Sequence, residues 1–299
     1  MQLQASDLTH DPGSATYGLV EPAWLEQHLE DPRLRLVEVD VSRVRYDEGH
    51  IPGAVVWNVY QDLKDSRCRP VPDSVVQPLL ENSGIAPNSI VVFYGYAPAM
   101  GVWLMNLFGH TNARILNCSR ESWALEGRPW STEQTAPLES EYPLPSQDSR
   151  LRASLSTVTS AIGDLAWNIV DVRTEAEYHG ERFWPSGGFE PGGRAGHIPT
   201  ATSLPIGDLY DGRGAFRSAA ELSGMFAAID RTGHPGVITY CTIGGRACTA
   251  WFVLTHLLGR RHVRVYDGSW AEWGLTPTTP VDHSQEPAQT SAARQPSQL

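Results

Sequence analysis

Apolar positions along the chain fall into short blocks whose spacing switches repeatedly between the helical and the extended period. Residues 1–17 carry no such block and read as a poorly ordered lead-in. LVEPAWLEQHLEDP (19–32) then spaces its apolar residues as a helix does, and LRLVEVDV (34–41) is a β-prone run. YDEGHIPGAVVWN (46–58) predicts a loop followed by a strand, and the prolines from Pro70 to Pro78 predict a turn region. Ser89–Tyr94 reads as a strand, Val102–Phe108 as a helix and Ala113–Asn117 as a closing strand. Alternating strands and helices predict parallel βαβ units, hence an α/β fold with mainly parallel sheets and helices on both faces.

The same pattern then recurs. Asp40 of VEVDV aligns with Asp171 of NIVDV, Tyr46 with Tyr178, and GHIPGA (49–54) with GHIPTA (196–201). The strand ending at Phe93 aligns with that ending at Tyr240, which sets Tyr94 opposite Cys241, and Ser122-Trp123 aligns with Ser269-Trp270. The chain is therefore a tandem duplication with domains at 18–130 and 151–279. Between them, 131–150 has the Ser, Pro and Glu content of a linker, and 280–299 has the low hydrophobicity of a disordered tail. The second copy carries an insertion, HGERFWPSGGFEPGGR (179–194), ahead of its GHIP motif.

The stretch Val237–Gly259 organises the second copy. A β-prone run, Val237–Tyr240, delivers Cys241; a short loop follows, and then small and apolar residues recur at 247, 250, 251, 254, 257 and 258, which is helical spacing. A cysteine between strand and helix lies where backbone N–H groups and the helix dipole favour the thiolate, which is a nucleophile. Gly244 and Gly245 are expected to let the backbone curl around the sulfur, and Arg246 adds a fixed cation. The first copy has neither thiol nor arginine in the matching segment, YGYAPAMG (94–101), so its expected roles are packing and walling one side of the site.

Composition narrows the partners. A formal net charge of -11 argues against a phosphate-backbone partner such as nucleic acid. The four cysteines show no CxxC and no zinc-type spacing, so a reducing compartment is expected, with no metal and no cofactor. No 18 apolar residues run together and the start lacks a signal pattern, so the expected location is cytoplasmic with no membrane anchor. Among the 23 basic residues Lys64 is the only lysine.

Two GHIP-containing α/β copies, a Cys-x-x-Gly-x-Arg loop opening a helix in the second, and the ending YDGSWAEWG together resemble the tandem-domain rhodanese sulfurtransferases, over roughly Gly18 to Pro277. The resemblance implies that Cys241 takes the outer sulfur of a small-molecule donor such as thiosulfate, holds it as a persulfide and passes it to cyanide, a thiol or a sulfur-carrier protein. The loop Thr242, Ile243, Gly244, Gly245, Arg246 and Ala247 would then bind substrate, with the N–H groups of Ile243 to Ala247 accepting the persulfide charge. Two copies in one chain already form a pseudo-dimer, so a monomer suffices.

Departures from the family bear on the donor. Thiosulfate-using members often place basic residues directly after the cysteine, where this chain has Thr242 and Ile243; mercaptopyruvate-using members typically start with glycine. Arg182 and Arg194 in the insertion are candidate anion clamps, with Phe183 and Trp184 as walls. Thiosulfate is the favoured donor, with 3-mercaptopyruvate or a role as biosynthetic sulfur donor as the alternative. A non-catalytic rhodanese-like binding module and a cysteine phosphatase rank lower; phosphatase loops set five residues between Cys and Arg, and here there are four. Asp40 and Asp171 are expected to order loop N–H groups, His50 and His197 to be structural, Cys248 to face the core, and Trp270 and Trp273 to pack.

Overall fold

In the computed structural model, residues 18–283 are described except 67, 138, 231, 232 and 234; the lead-in 1–17 and most of the tail lie outside them. The first copy runs β1 (Leu19–Val20), α1 (Pro22–Gln27), β2 (Leu34–Asp40), α2 (Val44–Glu48), β3 (Ala54–Asn58), α3 (Asp73–Asn82), β4 (Ile90–Gly95), α4 (Pro98–Leu107), β5 (Ala113–Leu116) and α5 (Arg120–Leu125). The second runs α6 (Leu155–Ala161), β6 (Trp167–Asp171), α7 (Glu175–Tyr178), β7 (Thr202–Ser203), α8 (Ala219–Asp230), β8 (Gly236–Tyr240), α9 (Gly245–Phe252), β9 (Val263–Val265) and α10 (Ser269–Leu275). Strand order is β1-β5-β4-β2-β3 in one sheet and β7-β6-β8-β9 in the other, every pairing parallel. Central β4 and β8 are apolar along nearly their whole length because helices cover both faces.

One expected turn region is a helix. α3 contains Pro78, whose ring removes a backbone donor, yet Val76 and Leu80 are buried on one face; burial of that face outweighs the lost bond. The helix after β4 begins at Pro98, ahead of the expected Val102, because proline is favoured in the first helical turn.

Hydrogen bonding corrects the internal alignment by a residue or two. Tyr94 and Tyr240 each accept, on the hydroxyl, an N–H from the residue after the motif histidine: Ile51 at 3.3 Å and Ile198 at 3.1 Å. Tyr94 therefore corresponds to Tyr240, and Gly95 stands where the second copy has Cys241. Tyr94 pairs across the sheet with Glu38, as Tyr240 does with Asp171, so Glu38, not Asp40, is the counterpart of Asp171. Trp123 donates to the carbonyl of Pro129 and Trp273 to that of Pro280, which makes Trp273 rather than Trp270 the partner of Trp123. The motif histidines are structural as expected: His50 stacks on Tyr46 and His197 on Tyr178, with each tyrosine hydroxyl donating to the carbonyl of Ala54 or Ala201.

Both copies bury one ion pair at the same place but build it from different chain positions. In the first, Arg120 of α5 meets Glu38 at 3.1 Å and donates to the Gly49 carbonyl. In the second, Arg173 meets Asp171 at 2.6 Å, donates to Gly196 and lies over the Trp270 ring.

The copies share one core. Phe93, Met100 and Met105 pack in the same cluster as Cys248, Trp251 and Phe252, with α4 against α9. The segment 131–150 is a strap along the first copy: Tyr142 is buried beside His110, Ser140 donates to the Ile85 carbonyl at 2.6 Å, and Ser131 bridges to His50. Of the predicted tail, Asp282 exchanges backbone bonds with His197.

Arg173→Ala should lower the unfolding free energy by about 3–5 kcal/mol, because it strands the buried Asp171 carboxylate without a counter-charge. Urea unfolding reads this as a lower midpoint, and Asp171→Asn in the same background should recover part of the loss.

Candidate active site at the end of the central strand

Ligand sites in open α/β sheets gather where the strands' carboxyl ends meet helix N-termini. Cys241 follows β8, one of the two inner strands of its sheet, and α9 starts four residues later. Between them Gly244 takes φ +102, a left-handed conformation, and a Cβ there would stand 3.0 Å from the Asp267 carbonyl oxygen. Gly245 has no such requirement, since it is absent from the positive-φ positions. The expectation that both glycines curl the backbone thus holds for Gly244 alone.

That turn points the Gly244 N–H at Cys241 Sγ, 3.1 Å away. The N–H groups of Thr242, Ile243, Gly245, Arg246 and Ala247 make no bond to the protein among the described residues, which leaves them free to meet an anion at the sulfur. The start of the loop is clamped from the β9–α10 corner. Cys241 N–H donates to Ser269 Oγ at 3.1 Å, while Trp270 and Ala271 N–H donate to the carbonyls of Cys241 and Thr242. Ser269 does this at φ 51, uncommon for a residue with a side chain, and its hydroxyl donates in turn to the Tyr266 carbonyl.

Arg246 does not stand as an isolated cation. Its guanidinium grips the carboxylate of Glu177 on α7 with two bonds, 2.9 and 2.8 Å, and donates to Thr242 Oγ1 at 2.7 Å; Thr242 donates to Glu177 at 2.6 Å. Glu177 is fully buried and is also the third residue of a capping box, accepting the N–H and hydroxyl of Thr174. Burial pushes its carboxyl upward, but the Arg246 bonds and charge, with Thr242 and Thr174, outweigh this and hold it at about 2.

Cys241 is 1% exposed, so its sulfur is reached only through the cavity in front of it. This cavity of about 210 Å³ lies between the two copies. Val59, Tyr60, Tyr96, Ala97 and Met100 of the first copy form one wall, as expected of a copy without its own cysteine. Cys241, Thr242, Ile243, Gly245 and Arg246 form the floor, and Trp184, Pro185, Ile206, Tyr210 and Thr249 close the rest.

Two stretches, residues 21–126 and 154–276, match the Rhodanese-like domain. The chain belongs to the rhodanese family. Over 276 residues it is 39% identical to "Putative thiosulfate sulfurtransferase SseA" of Mycobacterium tuberculosis, covering 90% of this chain and 92% of that protein. The sulfur carrier protein TtuD of Thermus thermophilus is 36% identical over 277 residues, covering 90% and 97%. Among solved structures, wild-type EanB superposes with a TM-score of 0.76 at 23% identity, covering 89% of this chain and 69% of that chain, which is a likeness of fold.

Within this rhodanese the insertion supplies a wall but no clamp. Trp184 lines the cavity, whereas Phe183 is buried in the core of the second copy. Arg194 caps the carboxyl end of α10: its guanidinium donates to the carbonyls of Trp273, Gly274, Thr276 and Thr279, so it is committed to structure and not to a donor. Arg182 donates to Thr174 Oγ1 at 3.0 Å, behind Glu177 and outside the cavity lining. Carbonyls reached 79 to 85 positions away attract Arg194, a pairing that no local pattern announces. Sequence reasoning also missed Glu177 and Ser269. Thr174-x-x-Glu177 announces a capping box, but its second partner, Arg246, lies 69 residues on.

Folding lowers the titration of Glu177, so its contribution is fully present above the usual carboxylate range near ~4.3 and is lost as pH falls toward about 2. The contribution is about 3 kcal/mol. Acid unfolding of Glu177→Gln should show a correspondingly shallower loss of stability between roughly pH 4 and 2 than the parent.

Proposed function

We propose that this rhodanese moves a sulfane sulfur from thiosulfate to a thiol or cyanide acceptor through a persulfide on Cys241. The observation that carries the reading is the Cys241 sulfur, bonded by the Gly244 N–H on the floor of a cavity between the copies, with further loop N–H groups unspent. In the first step the thiolate attacks the outer sulfur of thiosulfate; a new S–S bond forms, the donor's S–S bond breaks and its electron pair leaves with sulfite (Cys–S⁻ + S₂O₃²⁻ → Cys–S–S⁻ + SO₃²⁻). In the second, the acceptor attacks the outer persulfide sulfur and the thiolate returns (Cys–S–S⁻ + CN⁻ → Cys–S⁻ + SCN⁻). No base is required once the thiol is ionised. The loop N–H groups hold negative charge that stays within the loop through both steps.

Donor choice follows from charge. Arg246 is matched by Glu177, and the walls are largely aromatic and aliphatic, so a dianion gains less attraction here than in a loop with two added cations. Losing one or two charge-assisted contacts costs about 1.5–3 kcal/mol each, and a high KM for thiosulfate is expected. Mercaptopyruvate, with one carboxylate, is the second reading that this single paired cation favours. The same Arg246–Glu177 pairing disfavours phosphoryl chemistry, because the guanidinium is turned to a carboxylate.

Thiosulfate treatment should add about 32 Da, one sulfur atom, to the parent and to Cys248→Ser, and nothing to Cys241→Ser. Retention of the adduct by Cys241→Ser would sink the assignment. In steady state, a clearly larger kcat/KM for mercaptopyruvate than for thiosulfate with the same acceptor would replace the donor. Arg194→Ala should lower Tm by several degrees while the folded variant keeps the parental KM, since Arg194 holds the end of α10.

A further inference from the structure

The one lysine of the chain lies in the copy that lacks the cysteine, yet it reaches the cysteine loop. Lys64 is 4% exposed, and its ammonium donates to the Asp267 carbonyl at 2.8 Å, at the β9–α10 corner that clamps the loop. A Cβ on Gly244 would stand 3.3 Å from Lys64 Nζ, so the ammonium is packed against the turn whose N–H donates to Cys241 Sγ. The Asp267 carboxylate is directed to Arg152 at 3.2 Å, and Lys64 forms no ion pair among the described residues. It lines a small pocket of about 30 Å³ together with Met100, Trp103, Leu104, Phe108 and Cys248, and because Lys64 is itself nearly out of contact with water its charge is weakly screened.

The charged and titratable groups around the Cys241 loop can be compared element by element. From α9 come Arg246 and Cys248, from α7 Glu177, from the end of β6 Asp171, from the β9–α10 corner Asp267, and from the first copy Tyr60 and Lys64. Arg246 is cancelled by Glu177 at two hydrogen bonds, and Asp267 is engaged by Arg152. Lys64, set against a carbonyl only, is the cation of this group whose charge is not matched by a contacting carboxylate. Cys248 also feels Lys64, but burial dominates and pushes that thiol well up, so it stays neutral. Cys241 lines the larger cavity between the copies, whereas Cys248 lines the smaller pocket that also holds Lys64.

We infer that Lys64 is a positioning residue for sulfur transfer, lending the Cys241 loop its unmatched positive charge through the Gly244 turn and so favouring the thiolate and persulfide forms. The first copy then does more than wall the cavity: it supplies charge to a site whose own arginine is already spent. This rests on Cys241 as sulfur carrier, but the test below separates the two.

The rate of iodoacetamide alkylation at Cys241, located by peptide mass, is measured against pH for the parent and for Lys64→Gln, Lys64→Met and Lys64→Arg. Lys64→Gln keeps a donor for the Asp267 carbonyl while removing the charge. Its alkylation midpoint should rise by about one pH unit, with roughly tenfold slower alkylation near neutrality. Lys64→Met should match it, and Lys64→Arg, which keeps the charge, should stay near the parent. A parental midpoint in folded Lys64→Gln or Lys64→Met, or an upward shift in Lys64→Arg, overturns the inference; should one neutral variant not fold, the other carries the test, and an upward shift in Lys64→Arg overturns the inference in either case. Alkylation needs no sulfur donor. A raised midpoint with no persulfide in the parent would refute sulfur transfer and leave the charge effect standing, and a parental persulfide with unmoved midpoints would refute the role of Lys64 alone.

Discussion

A thiolate or persulfide that is nearly out of contact with solvent needs its charge accepted by the protein, and here that requirement is concentrated in the left-handed turn at Gly244. The turn aims an N–H at Cys241 Sγ and leaves no room for a side chain between itself and Asp267. Everything around it holds this shape. Ser269 and the first residues of α10 clamp the loop's start, Lys64 ties the Asp267 carbonyl to the first copy, and α9 carries the loop's end into the shared core. A backbone arranged this way needs no reorganisation when charge arrives, which is where preorganised donors exceed water as a solvent for anions.

The second constraint is the disposal of charge. Glu177 is buried, so it is tolerated only because Arg246, Thr242 and the capping box saturate its oxygens. The pairing fixes Arg246 at the rim of the loop and neutralises it at once. The arginine thus shapes the loop more than it attracts a dianion, and the aromatic character of the remaining walls points the same way. With Arg246 paired, the groups that face an anion directly in this loop are backbone N–H groups at the start of α9.

The copy without the cysteine still shapes the site, lining its cavity and sharing its core. The two copies keep the same tyrosine–histidine stacks and the same buried acid–arginine pair, though Arg120 and Arg173 come from different places in the chain. The first copy has Gly95 in place of the cysteine and offers its α4 face, Tyr60 and Tyr96 to the cavity of the other. Its strap, 131–150, is fastened by Tyr142 and Ser140, so the composition of a linker conceals an ordered segment.

Much of this is written locally and can be read without coordinates. Parallel strands announced themselves through apolar runs, the duplication through GHIPGA and GHIPTA, and the cysteine loop through a β-run, two glycines and a helical repeat, because each depends on residues within a few positions of one another. Local composition misled where burial decided: α3 forms through Pro78, and a polar strap orders itself on the first copy. The matching of Tyr94 to Cys241 failed by one residue because flanking letters carry no record of which hydroxyl meets which N–H. Contacts between distant residues lay beyond that reach altogether. Glu177 meets Arg246 across 69 positions, Lys64 meets Asp267 across 203, and Arg194 turns from the cavity to the carbonyls ending α10. An ionic or hydrogen-bonding side chain goes to whichever partner the packed fold brings within 3 Å at the smallest desolvation cost, and that choice exists only once the sheets, helices and copies have closed on one another.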